Sequence, residues 1–169
     1  MFNSYSTTIM KKQPLISVIV ASYNYAKYIK ETLDSLIRQT NKSFEVIVVD
    51  DGSRDQSLLI IEEYANRFKN IKLYTHPGNQ NKGLAETVKL GIEKSNGEYI
   101  AFCESDDYWT NNHVEYLQDT IQQNPLANFI VNGIKVINLS NNPEYDSYIE
   151  FSSSFLKRHS GLSLIHISE

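Results

Sequence analysis

One stretch limits the possible folds more than any other. Leu15-Ile16-Ser17-Val18-Ile19-Val20-Ala21 is almost continuously apolar and rich in β-branched side chains. A strand of alternating polarity needs one covered face, whereas one that is apolar throughout needs two, as central strands of parallel sheets have. A second such run, Phe44-Glu45-Val46-Ile47-Val48-Val49, follows a segment in which Ile29, Leu33, Leu36 and Ile37 recur at helical spacing, with Lys27, Lys30, Glu31 and Arg38 on the other side. Residues 71–74 and 98–103 repeat the strand signal, and 128–137 read as a fifth strand. The helical patterns between them carry Leu58, Ile61 and Ala65, then Leu84, Val88 and Ile92 expected inward over 83–95, then Val114, Leu117 and Ile121. Alternating strands and helices imply right-handed βαβ crossovers. The expected fold is therefore α/β, Rossmann-like, a mainly parallel sheet with helices on both faces.

With 169 residues the chain has the length of one domain, and its 41% apolar content with only 7 Gly and 4 Pro suits a packed globule. A net charge of −4 without a face-wide basic run argues against nucleic acid as a partner. Cys103, the single cysteine, has no companion for a disulfide or a metal knuckle. The apolar runs fall short of a bilayer span, so the expected location is the cytoplasm, with the inner face of the membrane as the variant.

Open α/β sheets bind ligands where strands end at their carboxyl edge. Three polar tips stand there: Ser22-Tyr23-Asn24, Asp50-Asp51-Gly52-Ser53 and Glu104-Ser105-Asp106-Asp107. Acidic pairs without His or Cys companions favour Mg²⁺ or Mn²⁺, an ion that completes its shell from water and substrate phosphates. A diphosphate fits such a site. Each tip also has a plainer explanation. Asp50–Ser53 makes a good Asx-turn, one of Asp106 and Asp107 could cap the next helix, and Tyr23 could pack instead of offering its ring to a nucleobase. Gly83 could let phosphates approach a helix start or merely supply conformation. His76, His113, His159 and His166 show no i, i+4 pairing and read as surface residues, and Trp109 reads as a packing anchor.

Taken in order, Pro14 to Asn24, Ser35-Leu36-Ile37-Arg38-Gln39-Thr40, Phe44 to Asp55 and Gly97 to Trp109 resemble the family 2 inverting glycosyltransferases of the GT-A fold. The resemblance covers about 14–138 and implies transfer of a sugar, with inversion, from a nucleotide-diphosphate donor, UDP-sugar favoured, to a glycan or lipid-linked acceptor. It implies a base pocket lined by Ala21 and Tyr23 with Asn24, a pyrimidine contact at Asp51, close approach at Gly83, a ribose contact at Asp106, and a metal ligand, for Mg or Mn, at Asp107. It places the general base in the acceptor-binding half, beyond residue 169, so no catalytic residue is assigned. Glu104 stands where the family often has Asp, and Val88-Lys89 where it often has Arg-Asn, leaving Lys82 or Lys89 for the phosphates.

The resulting division is a flexible lead-in at 1–13, a nucleotide-sugar-binding domain at 14–138 and the start of the acceptor half at 139–161. The final Leu162-Ser163-Leu164-Ile165-His166-Ile167-Ser168-Glu169 is similar to the translation of a transposase-type sequencing adapter. Residues 162–169 are accordingly expected to be a non-native tail. The alternative function is a receiver-like signalling domain phosphorylated on Asp51 with Mg²⁺. Against it, receivers carry their acidic pair after the first strand, and here the pairs follow the second and fourth.

Overall fold

The elements run β1 (Ile16–Ser22), α1 (Ile29–Ile37), β2 (Phe44–Asp50), α2 (Ser57–Arg67), β3 (Ile71–Thr75), α3 (Leu84–Lys94), β4 (Tyr99–Phe102), α4 (His113–Gln123), β5 (Phe129–Val131) and β6 (Ser154–Lys157). The computed structural model describes residues 16–124, 126–131 and 154–157. The lead-in at 1–13, the continuation of the fifth strand over 132–137 and the tail at 162–169 lie outside the described residues, as does most of 139–161.

The two apolar runs pair as expected. β1 and β2 are parallel from Ile16 opposite Phe44 to Ser22 opposite Asp50, every residue of β2 is buried, and β3 and β4 extend the parallel sheet on either side. The sheet order is β3-β2-β1-β4-β6-β5, with β6 antiparallel to both of its neighbours. The reading of a mainly parallel α/β sheet holds. The strand at Ser154–Lys157, inserted between β4 and β5, was not legible in its sequence.

Both faces are covered. Ile16, Val18 and Val20 of β1 join a core with Leu33 and Leu36 of α1, Ile61 of α2, and Val114 and Leu117 of α4. The other face takes α3, and here the expected inward residues are corrected. Thr87 and Gly91 are buried, Val88 and Ile92 are partly exposed, and Leu84 is 62% exposed. The cause is Gly91, where an added Cβ would lie 2.6 Å from Ile19 Cγ2. The glycine lets the helix backbone come closest to the sheet, so the line through residues 87 and 91, one turn apart, faces it instead of the larger side chains. Among the described residues no helix is long and apolar enough to cross a membrane.

The chain moves outward from β1 through β2 to β3, then returns to place β4 on the other side of β1. A crevice opens where the strand order reverses, at the carboxyl ends of β1 and β4.

Candidate functional site

A cavity of about 420 Å³ occupies that crevice, and Ala21, Tyr23, Asp51, Gly83 and Asp106 all line it. Five of the seven residues selected from sequence therefore share one space, contributed by the end of β1, the loops after β1, β2 and β4, and the start of α3. Asn24 and Asp107 are not on its wall.

Asn24 has another place. Its backbone is left-handed at φ 58, its Oδ1 accepts from the Arg54 amide at 2.7 Å, and its own amide donates to Ser53 Oγ at 3.0 Å. The Ala26 amide donates to Asp55 Oδ2 at 3.0 Å and the Tyr25 amide to Ser57 Oγ at 2.8 Å. Together these bonds stitch the loop after β1 to the loop after β2.

The Asp50-Asp51-Gly52-Ser53 tip divides its labour. Asp50, fully buried, makes the Asx-turn: it accepts from the Ser53 amide at 2.9 Å and from the Ser53 hydroxyl. Asp51, 4% exposed, faces the cavity and accepts from the amides of Lys82 at 2.7 Å and Gly83 at 2.9 Å. Those amides belong to the segment leading into α3, whose N-cap Gly83 sits at φ 83, open to glycine and strained for other residues. Gly52 does more than turn. At φ 76, a Cβ there would stand 2.7 Å from the Asn79 carbonyl oxygen and 2.8 Å from the Asn81 nitrogen, so its absence admits the segment that carries Lys82 and Gly83.

His76 corrects the reading of surface histidines. It is 7% exposed, with Nε2 3.1 Å from Thr87 Oγ1 and 3.5 Å from Asp51 Oδ1. Thr87 gives its single hydroxyl proton to the Gly83 carbonyl at 2.9 Å, so Nε2 carries the proton that faces it, and Asp51 lies beside that N–H. His113 is corrected likewise. Its ring packs against Trp109, tilted by 46° with ring centroids 4.3 Å apart, and burial lowers its pKa to about 4. Trp109 is a core residue, as expected. His159 and His166 lie outside the described residues.

Glu104 and Ser105 add to the cavity wall beside Asp106. The Glu104 carboxyl is pushed up by partial burial first, then by Asp107 and Asp106. That of Asp107 is pushed up by burial and by Asp106. The buried Cys103 thiol beneath them is raised strongly, by burial and then by the same three acids. None of the ion pairs among the described residues reaches these carboxylates. Neither do Asp106 and Asp107 cap α4, whose Val114 amide is met by Gln39 Oε1 at 2.9 Å. The arrangement is a concentrated negative field on hard oxygen donors, beside a cavity with aromatic and apolar walls at Tyr23, Tyr25 and Leu84.

The family model for glycosyl transferase family 2 matches residues 17–167. The chain belongs to that family. A glycosyltransferase of Haemophilus influenzae is 38% identical over 114 residues, covering 68% of this chain and 45% of the relative. EpsJ, a glycosyltransferase of Bacillus subtilis, is 39% identical over 113 residues, covering 67% and 32%. The family 2 chain thus spans less than half the length of either. TarS of S. aureus in complex with UDP-GlcNAc superposes with a TM-score of 0.67 at 34% identity, covering 76% of this chain and 36% of TarS. The mannosyltransferase PcManGT of Pyrobaculum calidifontis, in complex with GDP-Man and Mn²⁺, shares the fold at 20% identity and a TM-score of 0.65, covering 88% and 46%. The GT-A expectation therefore stands, and family membership lends nothing to the phosphoacceptor reading of Asp51.

Sequence reasoning missed His76 and Thr87 near Asp51, and it gave no role to Thr32 and Ser35 of α1 or to Gln39 just beyond it. For the α1 residues the available signal was polar side chains beside the apolar stripe of Ile29, Leu33, Leu36 and Ile37; for His76 there was none.

Proposed function

We propose that this domain binds the donor of an inverting glycosyltransferase, a nucleotide-diphosphate sugar with UDP-sugars favoured, for transfer to a glycan or lipid-linked acceptor. The observation that carries the reading is one cavity lined by Asp51 and Asp106, from separate loops, and by Tyr23. One ligand with a base at one end and a ribose and diphosphate at the other suits that separation of roles. Tyr23 offers a ring face to the base, Asp51 accepts from a ring N–H, Ala21 and Gly83 leave room for close approach, and Asp106 accepts from a ribose hydroxyl. Asn24 acts on the pocket by holding its loops together. The 34% identity with TarS, whose complex holds UDP-GlcNAc, supports a UDP-sugar.

The acidic loop fits a divalent cation, Mg²⁺ or Mn²⁺. Its carboxylates carry mutual repulsion, and among the described residues no ion pair relieves it. No group of three or more ligating side chains gathers among the described residues, so the ion would draw on Asp107, water and the donor's diphosphate. Bound there, the ion would offset charge on the departing diphosphate. Lys82 is the better phosphate contact, since Lys89 pairs with Glu86 at 3.7 Å. The domain division that goes with this reading assigns donor binding to 14–138 and the start of the acceptor half to 139–161.

Calorimetric titration with UDP, GDP and dTDP, each with and without MnCl₂, tests this. UDP binding strengthened by Mn²⁺ and weakened by Asp107→Ala is expected. Equal, metal-independent binding of all three would sink the reading.

A further inference from the structure

The segment Ser35-Leu36-Ile37-Arg38-Gln39-Thr40 belongs to the family resemblance, yet donor binding leaves it without a role. Thr32, Ser35 and Gln39 follow one another at i, i+3 and i+7 on the buried side of α1 and its C-terminal extension, each 2% exposed or less. Polar groups so buried must find partners. Here they are found in one loop, the one after β4. Thr32 Oγ1 donates to the Ser105 carbonyl at 2.9 Å. Ser35 Oγ accepts from the Trp109 amide at 3.1 Å, its own proton going to the Thr32 carbonyl at 2.7 Å. Gln39 Nε2 donates to the Thr110 carbonyl at 2.8 Å, and its Oε1 accepts from the Val114 amide at 2.9 Å.

The loop is therefore tied at 105, 109 and 110, and the first turn of α4 at 114; Asp106, Asp107 and Tyr108 are the exposed residues between the first two ties. We propose that Thr32, Ser35 and Gln39 are positioning residues that hold the acidic loop in the one conformation able to receive a cation and a diphosphate together. Capping α4 accounts for only one of the bonds, since Thr32 and Ser35 reach residues well before that helix begins. The geometry also explains how mutually repelling carboxylates stay displayed: without ties on both sides, the loop would relieve its repulsion by spreading. Outer contacts of this kind typically alter metal affinity ten- to a hundredfold when removed, on the order seen for groups that orient a ligand.

The proposal rests on the donor-site reading, and its test keeps the two apart. In the full chain, Thr32→Val removes one tie at nearly constant volume, Thr32→Ser restores the hydroxyl, and Gln39→Met removes the ties at 110 and 114. UDP with MnCl₂ and uridine without metal are titrated into each, and amide hydrogen exchange is followed at Asp107, Trp109 and Val114. Thr32→Val should weaken UDP with Mn²⁺ on the order of tenfold, leave uridine affinity unchanged and speed exchange at Asp107 and Trp109. Thr32→Ser should reverse both changes, and Gln39→Met should weaken UDP with Mn²⁺ and speed exchange at Val114. Equal loss for UDP and uridine, unchanged UDP affinity, or unchanged exchange at Asp107 would overturn the proposal. If the parent chain binds neither probe, the donor reading falls, and exchange at Asp107 alone then decides whether the ties hold the loop.

Discussion

Glu45 at the amino end of the sheet and the pair Glu104 and Asp107 at its carboxyl end are held in opposite conditions. At the amino end, Glu45 accepts from Ser17 Oγ at 2.7 Å, from the Lys72 ammonium at 2.8 Å and from the Asn96 amide at 2.6 Å. Burial alone would raise its pKa, but those bonds outweigh burial and hold it below the ordinary value. At the carboxyl end, Glu104 and Asp107 are raised, and among the described residues no ion pair answers them. Glu45, whose charge is met within the chain, serves the fold. The repulsion that raises Glu104 and Asp107 is one that a cation from solution would relieve.

The sharpest way to break that contrast is to remove the amino-end acid. Glu45→Ala leaves a buried hydroxyl, an amide and an ammonium without their acceptor, and should cost about 3 kcal/mol of stability in urea unfolding. UDP affinity of the folded fraction should not change. A fall in affinity along with stability would show that the two ends are not independent.

Gly52→Ala comes next, and it is the carboxyl-end position where fold and site should fail together. The added Cβ meets backbone atoms of Asn79 and Asn81 at a left-handed φ, so a loss of about 2 kcal/mol is expected. The same displacement moves the Lys82 and Gly83 amides off Asp51, so calorimetry should also record weaker UDP binding.

Asp107→Ala should do the reverse of Glu45→Ala. UDP affinity in MnCl₂ should drop on the order of tenfold, equivalent to about 1.4 kcal/mol, with no loss of thermal stability. Omitting the metal should erase the difference between variant and parent.

Much of this contrast was readable from residue order. Continuous apolar runs located β1 and β2, and the residues after them located the cavity, because a parallel sheet forces strand ends to one rim. Two kinds of information were not readable. The face of α3 depended on Gly91 admitting Ile19, a contact between residues far apart in the chain, so periodicity pointed to Leu84, Val88 and Ile92 instead. The role of His76 depended on the turn at Gly83 bringing Thr87 beneath it, and a lone histidine carries no mark of such company. Glu45, likewise, stands inside an apolar run and betrays nothing of the Lys72 that pairs with it or the Asn96 that donates to it.

The smallest effect is also the most discriminating, because the two ends should respond to acid with opposite sign. A raised carboxyl burdens the fold while ionised. Near neutral pH, Asp107→Asn should therefore be more stable than the parent by about 0.5 kcal/mol, a modest figure because water screens the exposed group. That advantage should shrink as pH falls through the raised pKa of Asp107 and vanish below its ordinary 3.8. Glu45 is depressed, so its contribution is complete above its ordinary 4.5 and is lost as pH falls through its lower folded value. Glu45→Gln should accordingly start with a deficit that closes on acidification, while Asp107→Asn starts with a surplus that closes. Urea unfolding across the acid range reads both slopes. Slopes of the same sign would mean that the carboxyl-end acids are neutralised within the chain after all, and the case for a cation at Asp107 would go with them.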